Sequence, residues 1–89
     1  MTRDEVFAAI TAERGRQAVK WDRAHAHGWG DCSSRAVPGS VKVAVLAEEC
    51  GEVARAVLDG QSRHLAAELV QVAAVCVAWL EGLPGGDGG

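Results

Sequence analysis

The stretch from Leu65 to Leu80 constrains the fold of this 89-residue chain more than any other segment. It consists of Leu, Ala, Val, Cys and Trp, and its only polar side chains are Glu68 and Gln71. The run is shorter than the roughly 20 residues that a transmembrane helix needs, and it contains an acid. We therefore predict a helix buried in a protein core or between chains, with a carboxylate inside it.

The composition predicts that this core is shared between copies of the chain. A chain of this length forms at most one domain and buries only about 60% of its unfolded surface. Yet 48% of its residues are hydrophobic, which is more apolar surface than a few short elements bury alone. We expect a homodimer or a homotetramer.

Charge and cysteine content limit the partners and the compartment. The formal net charge of −3 argues against binding nucleic acid or an anionic membrane through bulk charge. The N-terminus opens into an amphipathic pattern rather than a signal peptide. The cysteines, Cys32, Cys50 and Cys76, follow no paired spacing, which favours reduced thiols. We expect a cytoplasmic protein with no nucleic-acid or membrane partner.

The N-terminal residues predict a long first helix. Thr2 followed by Glu5 has the spacing of a capping box. The residues that then recur at helical intervals are Val6, Phe7, Ile10, Arg14, Gln17 and Trp21, so the helix is predicted to reach about Trp21. Residues 25–40 are rich in glycine and serine and predict a loop, which is long for so small a domain.

Two further helices follow, joined by a short link. Ser40 and Ser62 are predicted to cap them, and Gly60 supplies the left-handed conformation that ends the first. Their predicted bounds are residues 41–59 and 62–81. Because the link has only about three residues, the two helices must form an antiparallel hairpin. The predicted fold is all-α, with three main helices in one domain over residues 1–84 and a disordered glycine-rich tail over residues 85–89.

A second acidic cluster lies upstream of the apolar run, at Glu48, Glu49 and Glu52. A rotation of about 100° per residue places Glu49 and Glu52 beside the apolar seam of their helix, with Glu48 half exposed. The hairpin can bring this pair opposite Glu68 and Gln71, so that three carboxylates and an amide oxygen converge. Such all-oxygen sites suit Mg²⁺, with Mn²⁺ as a substitute.

Two structural alternatives stand beside this metal site. The upstream glutamates by themselves are also typical of a solvated face near a helix start, stabilised by the helix dipole. Glu68 is also a candidate ion-pair partner of Arg14 or Arg16 on another helix, because an unpaired buried charge costs several kcal/mol.

The two acidic strings resemble those of the MazG-like, all-α nucleoside triphosphate pyrophosphohydrolases. That family carries EExxE on one helix and ExxD on the next, and the strings here are Glu48-Glu49-Cys50-Gly51-Glu52 and Glu68-Leu69-Val70-Gln71. The resemblance spans about residues 14–83. It implies helix pairs from two protomers assembled into a four-helix bundle. It also implies Mg²⁺-dependent hydrolysis of a (d)NTP, by water attack at the α-phosphate, to the monophosphate and pyrophosphate.

The same resemblance implies roles for individual acids. By position, Glu49, Glu52 and Glu68 are the expected metal ligands, and Gln71 occupies the fourth ligand position. Glu48 is expected to act as an outer ligand or to position water, so that Glu48 and Glu49 are the candidate catalytic residues. Gln71 stands where the family has Asp, and an amide oxygen carries no charge. The expected site therefore has one negative charge fewer.

Substrate contacts are expected from Lys20, Trp21, His25 and Lys42. Some relatives place a Trp and a His near the nucleotide base, and Trp21 and His25 match that spacing. Lys20 and Lys42 are cations near the loop that would contact phosphates. The plainer alternatives are a core anchor for Trp21 and ordinary surface lysines.

The loop itself offers a rival metal site. His25, His27 and Cys32 are possible Zn²⁺ ligands, although their spacing is not that of a familiar zinc finger and no fourth ligand is evident. A flexible substrate lid is the favoured interpretation of this segment.

Two other functions compete with the hydrolase prediction. One is a catalytically weak or inactive oligomerisation or regulatory module that keeps the helical bundle, which Gln71 favours and Glu68 disfavours. The other is phosphoribosyl-ATP pyrophosphohydrolase activity, from the same superfamily. It ranks low because that group also carries the Asp that is missing here.

Overall fold

The computed structural model describes residues 1–84, which form three helices and a small hairpin. These elements are α1 (Arg3–Lys20), β1 (Ala24–His25), β2 (Gly28–Trp29), α2 (Gly39–Leu58) and α3 (Ser62–Gly82). The predicted all-helical character is confirmed, because the three helices dominate the chain and pack against each other. The two-residue strands were not predicted, and the predicted disordered tail lies outside the described residues.

Helix α1 begins as its sequence predicts. The Thr2 hydroxyl accepts a hydrogen bond from the Glu5 backbone N–H at 3.2 Å, and the Glu5 carboxylate accepts one from the Thr2 N–H at 2.9 Å. This reciprocal pair satisfies two of the unpaired N–H groups at the start of the helix. The helix ends at Lys20, and Trp21 is its C-cap.

The caps of the hairpin helices differ from the prediction. Pro38 is the N-cap of α2 and Gln61 that of α3, and neither side chain makes a capping hydrogen bond. Ser40 and Ser62 lie inside the first turns instead. Pro38 has its φ fixed near −69° and an extended ψ of 154°, so the helix can begin directly after it. Gly60 adopts a φ of +69°, which is the predicted left-handed exit from α2.

Helix α3 is the centre of the fold, because α1 and α2 both pack against it and make no close backbone contact with each other within residues 1–84. The buried apolar residues are Val37, Ala56, Ala74, Val75 and Ala78. All are small or medium in size, and no large side chain in the described part is fully buried. The core of a single chain is therefore thin.

The prediction that α3 is buried holds for only part of its circumference. Leu69 is 51% exposed and Leu80 is 67% exposed. The helix has 21 residues, more than the apolar run, and by length and composition alone it would suffice to cross a bilayer. The core helix of a soluble protein passes the same test. In one chain, this apolar helix is covered on one side and open on the other.

Helix α2 presents a second uncovered apolar surface. Five exposed residues recur at alternating intervals of four and three, namely Val43, Ala47, Cys50, Ala54 and Val57. We call them the α2 stripe. The buried residues of this helix, Lys42 and Ala56, lie on a different side. The interval pattern is that of a helix seam that packs against another helix.

The long loop is fixed to the helices by charge. The Arg14 guanidinium donates to Asp31 Oδ2 and to Glu81 Oε1, both at 2.7 Å. We call Arg14, Asp31 and Glu81 the Arg14 clasp. The loop also crosses α3 at Gly82, where a Cβ atom would lie only 2.5 Å from the Ser33 carbonyl oxygen. These contacts attach the segment to α1 and α3, and its role as a substrate lid stays a prediction.

Candidate carboxylate site

The upstream glutamates converge on one side of α2. Ligand oxygens of Glu48, Glu49 and Glu52 all lie within 4.8 Å of one another. Positions four apart share a helix face, and an adjacent position borders it, so the spacing alone produces this convergence. Glu49 is half-buried, whereas Glu48 and Glu52 are exposed.

Glu68 joins these residues from α3, and we call the four acids the carboxylate cluster. The antiparallel hairpin brings Glu68 next to Glu52, and both side chains line the same cavity. One oxygen of Glu49 and one of Glu68, the Oε2 atoms, are shielded from water and have no hydrogen-bond partner in the described chain. A buried acceptor without a partner is costly, so these atoms require a cation or a proton.

The electrostatics of the cluster are repulsive. Burial raises the pKa of Glu49, and the charges of Glu52, Glu68 and Glu48 raise it further. Burial also raises the pKa of Glu68, with contributions from contact with Glu52 and from its charge. Like charges crowded at one place favour protonated forms in the free protein.

The residues present fit a hard divalent cation. All donors are carboxylate oxygens, which Mg²⁺ and Mn²⁺ prefer over softer ligands. An octahedral ion with bonds of about 2.1 Å holds its ligands roughly 3–4 Å apart, which is comparable with the 4.8 Å limit within the cluster. The shielded oxygens of Glu49 and Glu68 are suitable as direct ligands.

The ion-pair alternative for Glu68 is wrong. Arg14 is engaged in the Arg14 clasp, and Arg16 pairs with Glu13 at 2.7 Å on the same helix. No ion pair within residues 1–84 involves Glu68. Its location on an otherwise apolar helix is therefore not explained by a stabilising arginine.

Helix α1 adds an acid that the sequence reasoning missed. Glu13 also contributes to the raised pKa of Glu49, and its side chain is only 14% exposed. Glu13 lies beside Arg14, one of the two polar residues in the helical repeat of α1. That polar interruption is the signal that could have found Glu13.

An open cavity of about 600 Å³ lies beside the cluster, between α2 and α3. Its walls are Glu48, Gly51, Glu52, Arg55, Ala56, Gln61, His64 and Glu68. Arg55 and His64 were not predicted as site residues. Arg55 shares the helix face of Glu48 and Glu52, and His64 lies one turn before Glu68, so the helical periodicity contained the signal for both.

Gln71 is not brought into this cavity. It is half-buried, makes no side-chain hydrogen bond within residues 1–84, and does not line the cavity walls. Three residues along a helix correspond to about 4.5 Å of rise and a turn of about 60° away from the Glu68 direction. Of the four predicted ligands, the structure groups Glu49, Glu52 and Glu68. Gln71 lies about one turn along α3 from Glu68 and, like Glu49, does not line the cavity.

The predicted substrate residues form a separate group near the loop. The Trp21 ring lies 5.4 Å from Lys20 Nζ and 5.0 Å from the Arg23 guanidinium, and its centroid is 5.5 Å from that of His25. Lys42 is buried, with 5% exposure. None of the predicted Lys20, Trp21, His25 and Lys42 lines the cavity beside the carboxylates.

His25 is occupied by the loop itself. Its Nε2 lies 2.7 Å from the Gly30 carbonyl oxygen, and its Nδ1 accepts a hydrogen bond from the His27 backbone N–H at 3.2 Å. Both ring nitrogens are therefore engaged, and Nε2 must carry the proton. His25, His27 and Cys32 do not gather as a metal-binding group in the described chain, which removes support for the zinc alternative.

Comparison with known proteins assigns no family to the chain. No protein-family model, no curated protein and no solved structure matches it.

Proposed function

We propose that this protein is a cytoplasmic, Mg²⁺-dependent nucleoside triphosphate pyrophosphohydrolase, which cleaves a (d)NTP to the (d)NMP and pyrophosphate. The observation that carries the proposal is the pair of shielded, unpartnered oxygens on Glu49 and Glu68. They come from adjacent helices and lie among like charges, and the pKa values of Glu49 and Glu68 are both raised. A bound divalent cation relieves both the repulsion and the missing hydrogen bonds.

The roles of the acids follow from their exposure. Glu49, Glu52 and Glu68 would hold Mg²⁺, with Mn²⁺ as a substitute, and the bound ion would neutralise charge on the phosphates and the leaving pyrophosphate. Glu48 is exposed at the edge of the cluster, where it can orient water at the α-phosphorus. Glu48 or Glu49 would accept the proton of that water.

The uncovered apolar surfaces support assembly of hairpins from two copies into a four-helix bundle, in a dimer or within a tetramer. The α2 stripe and the exposed Leu69 and Leu80 supply the apolar area that such an interface needs.

The assembly is tested by placing a charge on the α2 stripe. Val57→Lys should convert the protein to a monomer in sedimentation equilibrium, because a lysine at the seam is desolvated without a partner. Val19→Lys is the matched control, since Val19 is 80% exposed on α1 and lies outside the stripe. Equal masses for both variants and the unmodified chain would contradict the proposed interface.

Catalysis is tested with purified protein, Mg²⁺ and a panel of NTPs and dNTPs. Monophosphate and pyrophosphate should appear in equal amounts, and EDTA should abolish the reaction. Absence of both products at high enzyme concentration, with Mn²⁺ also tried, would contradict the enzymatic function.

A non-enzymatic oligomerisation or regulatory module is the second candidate. The observation that favours it is that Gln71 neither lines the cavity nor makes a side-chain hydrogen bond in the described chain. Mg²⁺ binding without turnover of any nucleotide would favour this candidate.

A further inference from the structure

Two basic side chains line the cavity beside the carboxylate cluster. We propose that Arg55 and His64 bind phosphate oxygens, which makes the cavity a binding site for a pyrophosphate or triphosphate group presented with its divalent cation. This inference deepens the proposed function and rests on it for the role of the carboxylates. It adds the part of the site that recognises the phosphate chain.

Arg55 has acids within reach but does not pair with them. It follows Glu52 by three positions and Glu48 by seven, so all three side chains project from one face of α2. All three also line the cavity. Nevertheless, no ion pair and no side-chain hydrogen bond of Arg55 occurs within residues 1–84. Its planar guanidinium is therefore available for two parallel bonds to a phosphate group.

His64 faces the same space from α3. It lies one turn before Glu68, lines the cavity, and acts electrostatically on the Glu68 carboxyl. Its ring makes no hydrogen bond within the described chain, in contrast to His25, whose two nitrogens are both engaged. An imidazole with free nitrogens at a cavity wall can donate a hydrogen bond to a phosphate oxygen.

The mixture of charges identifies the ligand class. Carboxylates alone would bind a cation, and basic groups alone would bind an anion. A cavity with both suits a metal–phosphate complex, because the acids hold the ion and the basic groups neutralise oxygens that the ion does not reach. The volume of about 600 Å³ lies within the usual range for small-molecule sites.

Gly51 keeps this space open. It lies inside α2 and lines the cavity, and a Cβ atom there would contact nothing within 4 Å. Glycine is the least favourable helix residue after proline, and no close neighbour in the chain requires it. The missing side chain leaves room for a ligand between Glu48 and Glu52.

The test measures Mg²⁺ and phosphate binding separately by calorimetry, with inorganic pyrophosphate as the probe in saturating Mg²⁺. Arg55→Gln should weaken pyrophosphate binding about tenfold and His64→Gln about threefold, the difference reflecting a bidentate against a single contact. Both should leave Mg²⁺ affinity without phosphate within about twofold. Arg63→Gln is the control, because Arg63 is exposed next to His64 and does not line the cavity.

The outcomes separate this inference from the proposed function. If the unmodified protein hydrolyses nucleotides but Arg55→Gln and His64→Gln bind pyrophosphate as it does, the inference is wrong and the enzymatic function stands. If no nucleotide is hydrolysed but Arg55→Gln still weakens pyrophosphate binding, the inference stands and the enzymatic function fails. Failure of the unmodified protein to bind pyrophosphate at millimolar concentration overturns the inference.

Discussion

The molecule contains two clusters of partly buried charge that differ in one respect. In the Arg14 clasp, an arginine lies between two acids, Asp31 and Glu81, at 2.7 Å from each. In the carboxylate cluster, acids meet acids without an ion-paired cation among residues 1–84. Both clusters join separate elements of the chain. Only in the Arg14 clasp does the described chain supply both the acids and the cation that pairs with them.

The pKa values of the two clusters record this difference. Burial opposes ionisation of Asp31, but hydrogen bonds from Ser33 and the Arg14 charge outweigh it and lower its pKa. Burial likewise opposes ionisation of Glu68, and there the neighbouring Glu52 adds to the effect and raises the pKa. The same desolvation thus leads to opposite results, because the neighbours differ in sign. A paired cluster stabilises the fold, whereas an unpaired cluster requires a ligand.

Neutralising one acid in each cluster should produce the largest contrast. Glu68→Gln removes a proposed metal ligand, and since a bound metal supplies several kcal/mol of transition-state stabilisation, kcat/KM should fall on the order of 10³-fold. Glu81→Gln makes the same change on the same helix but in the Arg14 clasp, and activity should stay within about twofold. Equal activity of Glu68→Gln and the unmodified enzyme would remove Glu68 from the site.

Removal of the arginine should reveal the structural role of the clasp. Arg14→Met leaves Asp31, whose side chain is 8% exposed, without its cation, and should lower the free energy of unfolding by about 3 kcal/mol. The control is Arg16→Met, because Arg16 is 66% exposed in its pair with Glu13 and should contribute less than about 1 kcal/mol. Urea denaturation measures the free energy of unfolding of both variants. Similar losses would show that the Arg14 clasp stabilises the fold no more than an exposed ion pair does.

Adding an acid near the carboxylate cluster should increase its affinity for Mg²⁺. Gln71→Asp adds a carboxylate one turn from Glu68, and should tighten Mg²⁺ binding about three- to tenfold through ligand charge. Gln17→Asp, at a half-buried position of α1, is the control and should leave the affinity unchanged. An unaltered Mg²⁺ dissociation constant for Gln71→Asp, measured by calorimetry, would place position 71 outside the metal site.

The stability that the two clusters contribute should depend on pH in opposite directions. These effects should be smaller than those of the substitutions above. The pKa of Glu68 is raised above its ordinary value of 4.5, so the folded state binds more protons above pH 4.5, and stability falls as the pH rises through the raised pKa. The pKa of Asp31 is lowered below 3.8, so its contribution is present above pH 3.8 and is lost as the pH falls through the lowered pKa.

Thermal melting across pH 2–8 measures both limbs of the stability profile, which are the decline above pH 4.5 and the decline in acid. Mg²⁺ should abolish the decline above pH 4.5, because the ion replaces the protons, and Glu68→Gln should reduce that decline without any metal. Asp31→Asn should reduce only the acid limb. A decline above pH 4.5 that persists in saturating Mg²⁺ would contradict cation binding by the carboxylate cluster.

Short-range patterns in the sequence were sufficient to predict the helices and the part of the site that lies on α2. The capping box at Thr2 and Glu5 and the left-handed Gly60 are short-range features, and both are found as predicted. The convergence of Glu48, Glu49 and Glu52 follows from helical periodicity alone. The caps at Ser40 and Ser62 were wrong because several nearby residues can begin a helix, and the local preference among them is weak.

Contacts between helices could not be read from those signals. The sequence does not show which acids Arg14 contacts. In the structure, Arg14 pairs with Asp31 and Glu81 instead of Glu68. The approach of Glu13 to the cluster depends on how α1 crosses α3. Such contacts depend on side-chain packing between elements distant in the chain, which periodicity does not encode.

By itself, the sequence determined the helices, the hairpin and the acids that α2 and α3 would carry, because these depend on residues a few positions apart. Only the tertiary structure decided which charges are paired. It paired Arg14 with Asp31 and Glu81, and it left the carboxylate cluster without a cation. It also turned the α2 stripe outward. The physical reason is that pairing and burial depend on the relative placement of whole helices, which is fixed by the folded chain rather than by any segment.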